Sequence, residues 1–415
     1  MKAFLNGVRI SDKDYAYCQK VRENINTRFY AWLASTSAET IGNIEQQDEL
    51  FGANTNELKD IALSASERKE NQRLLLAVEV EGALAREQKK QAEVEIINKA
   101  SRILTKRVYE HMTKALSNTQ HLYVNVLRLP KHMDDLLDTL LTPNSSYKQL
   151  ASVISSNHGL GEKLIEMVAN KQFCRQIGRE PRKIQDVQTA VGYVGMEGLR
   201  LILPIILIKS RIRFRCEHFP LLATKLWQHA LLTSNGSRYL VKEDGTENTP
   251  ELNNLLAGVL RFLGPIAVYQ QFSQSFEESR TQLLSELREL NNRPLYNAML
   301  QANTNPSIMT KLMLEQADKA TLALLGEFKS ERFKGVKERL VDALTKSSPN
   351  EHDKWSMSLQ QAEIFSQYEL LTKSKCFPNE KLSKAFMFSR YISEEKRDEM
   401  GRRNLRQLNL REYIG

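Results

Sequence analysis

A chain of 415 residues, 41% hydrophobic and 26% charged, has the composition of a folded protein of two or three packed units rather than a disordered or fibrous one. Its net charge of +9 is small for this length and thinly spread, so composition does not announce a nucleic-acid binder. The four cysteines, Cys18, Cys174, Cys216 and Cys376, form no CxxC pair and predict buried free thiols in a reducing, cytoplasmic compartment.

The first nine residues lack an apolar stretch followed by a small-residue cleavage site, so no export signal is expected. All eleven prolines lie at or after Pro130, which predicts an N-terminal third that is almost wholly helical. Asn54-x-x-Glu57 has the form of a helix cap, and strong helix formers continue to about residue 120 as one or two long helices. Val94, Ile97, Leu104, Val108 and Met112 make an apolar stripe at helical spacing, whereas residues 86–91 are polar and interrupt it. The stripe fits either a hairpin packed on its own chain or the seam of a homodimer. Residues 1–125 are therefore set apart as a sensor, partner or oligomerisation arm.

From residue 126 to 345 shorter helical patterns alternate with turns. Ser146-x-x-Gln149 is a capping box, and Thr249-Pro250-Glu251 places a cap residue, a first-turn proline and an acid in order. Gly192, Gly195 and Gly198 superficially suggest a phosphate cradle, but no strand precedes them, so the spacing predicts an interhelical turn with Gly195 opening the next helix. That helix carries the longest apolar run, Leu201–Ile208, which contains Pro204 between Arg200 and Lys209. A bilayer span needs about 20 apolar residues, so no membrane insertion is expected. Arg211 to Arg215 alternates over too few residues to define a strand. Residues 242–249 and 347–353 read as loops, and 346–415 as a helical C-terminal extension. The predicted fold class is all-α.

Two stretches of the middle region resemble the HDOD domain, an all-helical relative of the HD metal-dependent phosphohydrolases. The first runs from Leu129-Pro130 through LASVISSNHGLGEKLIEMVAN (150–170) to IQDVQTAVGYVGMEGLR (184–200). The second joins LWQHA (226–230) to LAGVLRFLG (256–264). The likeness covers about 126–290 and implies an HDOD-type helical bundle. An HD hydrolase holds metal with a first histidine, a His-Asp pair on a later helix and a distal aspartate. Here His229 matches the first ligand, but Arg261-Phe262 stands at the His-Asp position, and neither side chain ligates a metal. The resemblance thus implies no enzyme, no metal, no cofactor and no catalytic residues, and a regulatory module of a bacterial signalling pathway that acts by binding.

Other histidines offer no alternative centre. His352-Asp353 is an HD dipeptide in a polar loop, and His158 sits in an Asn-His-Gly turn. The binding candidates are Trp227, His229, Arg261 and Phe262, where a lost active site would leave a cleft whose guanidinium favours an anion. A second set is the basic edge Arg200, Lys209, Arg211, Arg213 and Arg215, equally readable as a solvated edge. Arg402, Arg403, Arg406 and Arg411 follow an acidic run, which points to local charge pairing. A signalling protein is the expected partner. An anionic ligand or cyclic dinucleotide stays open, as do nucleic acid on the Arg200–Arg215 edge and, less favoured, metal-dependent phosphohydrolysis.

Overall fold

The computed structural model describes residues 4–5, 8–9, 11–35, 77–142, 145–157, 159–176, 179–212, 216–242, 248–345, 353–403 and 405–406. The Asn54 cap, His158, Arg213, Arg215, His352 and Arg411 lie outside them. The described residues are helical except for turns and one two-residue antiparallel pairing of β1 (Phe4–Leu5) with β2 (Val8–Arg9).

Helix α1 (Asp12–Ala34) starts where Ser11 Oγ accepts the Asp14 amide, the usual way an orphan N–H is satisfied. Helix α2 (Ala77–Ser117) runs 41 residues, about 60 Å at the helical rise per residue. The predicted stripe splits: Leu104, Val108 and Met112 are buried, Ile97 is half-buried, and Val94 is 52% exposed. A π-helical turn, Leu122–Val126, and a positive φ at Arg128 then redirect the chain toward Pro130.

Six helices follow: α3 (Met133–Leu141), α4 (Tyr147–Ser156), α5 (Leu160–Ala169), α6 (Lys171–Gln176), α7 (Val187–Val194) and α8 (Met196–Lys209). The Ser146–Gln149 capping box is formed in both directions. Gly195 takes φ +84° as the residue between α7 and α8, and the axis bends there by 114°. Only a residue without a Cβ adopts that conformation cheaply, so the glycine spacing is a corner. The apolar run of α8 is buried along its length.

The remaining helices are α9 (Leu222–Lys242), α10 (Asn248–Leu260), α11 (Leu263–Glu289), α12 (Arg293–Gln301), α13 (Ser307–Glu327), α14 (Lys334–Thr345), α15 (Lys354–Lys373), α16 (Glu380–Phe388) and α17 (Glu394–Arg402). Helix α10 begins at Asn248, one residue before the predicted cap at Thr249. Residues 251–289 are long and apolar enough to cross a membrane by composition, but 89% of the apolar window is buried within the fold.

Helix α9 packs along both α10 and α15, while α11 packs against α13 and α2. The α11–α13 crossing is close because Gly264 has no side chain: a Cβ there would lie 1.9 Å from the Ala317 carbonyl oxygen. The Gly264 amide donates to Thr321 Oγ1 at 3.0 Å.

The two long N-terminal helices, α1 and α2, are folded onto the rest of the described chain. Helix α1 lies against α13, α16, α9 and α15. Gln19 donates to the Ser389 carbonyl, Arg28 to the Cys376 carbonyl, and Gln367 to Asn26 Oδ1. The buried stripe of α2 faces α11, α12 and α13 of the same chain, so it is occupied without a second copy. All four cysteines are buried and free.

Candidate functional site

The residues that the resemblance sets at an HD-type metal position lie on α9 and at the α10–α11 junction. His229 is 2% exposed. Its Nδ1 lies 2.8 Å from Ser366 Oγ on α15 and 3.4 Å from Thr233 Oγ1. Two rings enclose the imidazole edge-on, Phe29 of α1 at 4.6 Å and Phe262 at 4.9 Å between centroids. Burial, with the positive charge of Arg261 adding to it, pushes the imidazole down to about 3. Desolvation disfavours the charged form of a base, so His229 is neutral.

Arg261 is also buried. Its Nη2 donates to Glu363 of α15 and lies 3.9 Å from Asp318 of α13. Burial works against the guanidinium charge, and Glu363 and then Asp318 more than restore it, leaving the group above its ordinary value. Tyr30 of α1 completes the cluster. Burial first, then Asp318 and Glu363, push its phenol up.

The expected open, anion-attracting cleft is therefore not what these residues build. Phe29 and Phe262 fill the space beside His229, and two carboxylates neutralise Arg261. Glu363, Asp318, Ser366 and Phe29 were not legible beforehand, because none lies in a motif and all four belong to segments outside the resembling stretch. Phe262 is a core ring, 2% exposed. Trp227 is half-buried, with Lys209 Nζ over its ring at 5.5 Å.

A metal does not fit this donor set. The aligned position supplies a cation and a phenyl ring, the hydrogen-bond partners of His229 are the Ser366 and Thr233 hydroxyls, and the carboxylates of Glu363 and Asp318 face Arg261. Among the described residues no group of three or more His, Cys, Asp or Glu side chains converges. Asp353 of the HD dipeptide is the N-cap of α15, accepting the Trp355 and Ser356 amides at 3.0 and 3.3 Å.

Two arginines of the basic edge, Arg200 and Arg211, are likewise used internally. Arg200 is 8% exposed, pairs with Glu197 at 2.7 Å and donates to the Thr142 carbonyl. Arg211, 8% exposed, donates to the Leu127, Arg128 and Leu207 carbonyls. These guanidinium groups satisfy chain ends that burial would otherwise orphan. A free Arg200–Arg211 nucleic-acid edge is thus corrected to a pair of interior braces.

One concave, strongly basic feature lies elsewhere. A pocket of about 220 Å³ between α9, α15 and the end of α17 is lined by Lys373, Arg402, Arg403 and Arg406, with Glu369 the one carboxylate.

Among known proteins, no curated protein matches this chain. A solved structure from Shewanella amazonensis SB2B, named a proposed metal-dependent phosphohydrolase, is 12% identical with a TM-score of 0.38, covering 68% of this chain and 99% of that one. The HDOD domain family matches residues 126–305, the span that holds α3 to α12, His229 and Arg261. Residues 126–305 of this chain thus carry an HDOD domain match.

Proposed function

We propose that this chain is a non-catalytic regulatory module of a signalling pathway that acts by binding a protein partner. The observation that carries the reading is the Arg261–Glu363–Asp318 cluster beside an enclosed, neutral His229. Where a hydrolase of the HD type would need converging ligands for a cation, this chain supplies a cation of its own and spends two carboxylates on it. A bound divalent ion there would face guanidinium repulsion, and a substrate phosphate would find Arg261 already paired. Cytoplasmic residence and a bacterial setting belong to the same reading. The N-terminal helices then act as part of the folded body, since α1 supplies the ring that covers His229.

The test is metal content and hydrolysis measured together on the purified full chain. With magnesium, manganese or ferrous iron supplied, bis(4-nitrophenyl) phosphate and 4-nitrophenyl phosphate should show no turnover above buffer. Retained metal should be well below one equivalent and unaffected by His229→Ala. One equivalent of metal lost in that variant, or turnover that the variant abolishes, overturns the reading.

A further inference from the structure

We propose that the pocket between α9, α15 and the end of α17 binds a small phosphoryl oxyanion, free or terminal on a small molecule. Its charged residues lie beyond the HDOD span, and the proposal stands whether or not the domain is catalytic.

Two separate segments bring the charge together. Lys373 comes from the last turn of α15, Arg402 and Arg403 from the end of α17, and Arg406 from the segment after it. Their one carboxylate is Glu369, which Lys373 engages from i+4 while Arg406 approaches it at 3.9 Å. Arg403 lies over the Tyr239 ring at 5.3 Å, and that tyrosine donates to Glu399 at 2.5 Å. The lining therefore carries four cations against one anion. Arg406 Nε is, in addition, buried with no hydrogen-bond partner among the described residues. Such an orphaned donor on a guanidinium costs free energy unless an acceptor arrives.

Two bland explanations account for only part of this. Cations at a helix C-terminus favour its carbonyl dipoles, which covers Arg402 on α17 and Lys373 on α15 but not Arg406. Pairing with the acidic residues of α17 does occur, but through Lys384, Lys396 and Arg397, which take Glu394, Glu399 and Asp398. Arg402, Arg403 and Arg406, which follow these acids, line the pocket.

Size narrows the ligand. Drug-sized ligands occupy about 300–1,000 Å³, and this pocket holds about 220 Å³, which suits a phosphate or a short phosphomonoester rather than a dinucleotide. Guanidinium forks match the oxygen spacing of such a group and can bind it bidentately.

The probes are inorganic phosphate and glycerol 3-phosphate, titrated calorimetrically into the full chain at low ionic strength, with chloride at matched ionic strength as control. Both should bind, and the tighter one tells whether the natural ligand is free or esterified. Arg402→Gln with Arg406→Gln should weaken binding about 10-fold or more, the value of charge-assisted hydrogen bonds. Glu369→Gln should tighten it several-fold, because it removes the carboxylate that competes for Lys373 and Arg406. These opposite shifts separate a built site from general attraction to a basic protein and from loss of folding. Heat no greater than with chloride, or equal affinity in wild type, the double variant and Glu369→Gln, overturns the proposal.

Discussion

Acidification should destabilise this protein through His229, and the loss can be worked out. The imidazole is buried and held at about 3 by desolvation, with Arg261 adding to the effect. In the unfolded chain a histidine titrates near 6.5. The folded value is depressed, so below 6.5 the unfolded chain binds the proton and the folded one does not. The stabilisation is complete above about 6.5 and is lost as pH falls from there toward the folded value. Protonation of the unfolded form costs the fold about 1.4 kcal/mol at pH 5.5 and under ~0.1 kcal/mol at pH 7.5. This difference requires only that the folded value lie well below 5.5, not how far below. The assay is urea unfolding of wild type and His229→Gln at both pH values. Glutamine keeps a polar partner for Ser366 but does not titrate. His218, also pushed down by burial, contributes equally in both proteins and cancels. The variant should therefore lose about 1.4 kcal/mol less between pH 7.5 and 5.5 than wild type does. An identical pH-dependent loss in both proteins would refute a neutral, buried His229.

Glu363→Gln should cost about 3–5 kcal/mol in chemical unfolding, because removing one partner leaves a buried charge without its main compensation. Asp318→Asn should cost less than about 1 kcal/mol, since that carboxylate is 48% exposed and 3.9 Å away; the reverse order would show that Asp318, not Glu363, holds Arg261. Gly264→Ala places a Cβ against backbone atoms of α13, 1.9 Å from the Ala317 oxygen and 2.8 Å from the Thr321 nitrogen. That should destabilise by about 3 kcal/mol or more. Gly326→Ala, with nothing within 4 Å, should leave the melting temperature unchanged or raise it, and equal melting of both variants would contradict the close α11–α13 crossing.

The features legible in the sequence are the local ones. The Ser146–Gln149 box depends on two residues three apart, and the Gly195 corner on one residue's freedom to take a positive φ, so each is written in a few letters. The same holds for Leu104, Val108 and Met112, whose spacing identifies the buried face of α2 but not what covers it. The partners of the candidate site could not be read this way. Glu363 meets Arg261 across 102 positions, and Ser366 meets His229 across 137. Both carry no pattern of their own, because a carboxylate on an interior helix looks like one on a solvated face until a guanidinium is seen beside it. Charge counting failed for a related reason at Arg200 and Arg211: a one-dimensional excess of arginine does not distinguish a phosphate contact from a brace on helix-end carbonyls.

The division at residues 125 and 345 followed proline and texture, and packing gives those boundaries a different meaning. The environment of His229 is assembled from Phe29 of α1, Phe262 of the HDOD span and Ser366 of the C-terminal extension. Lys225 of α9 further donates to the Trp32 and Ser35 carbonyls at the end of α1 and lies 4.7 Å over the Trp32 ring, while burial pushes its ammonium down to about 8. A lysine accepts that desolvation only where aligned carbonyls and an aromatic face replace water. The flanking segments thus complete the core of the domain they surround. The surroundings of His229 and Arg261 are the point at which three segments, separated by more than a hundred residues, are tied together. That structural use explains why the residues there can be an arginine, two aromatic rings and a neutral histidine: packing an interior requires charge compensation and shape, whereas ligating a metal would have required converging lone pairs.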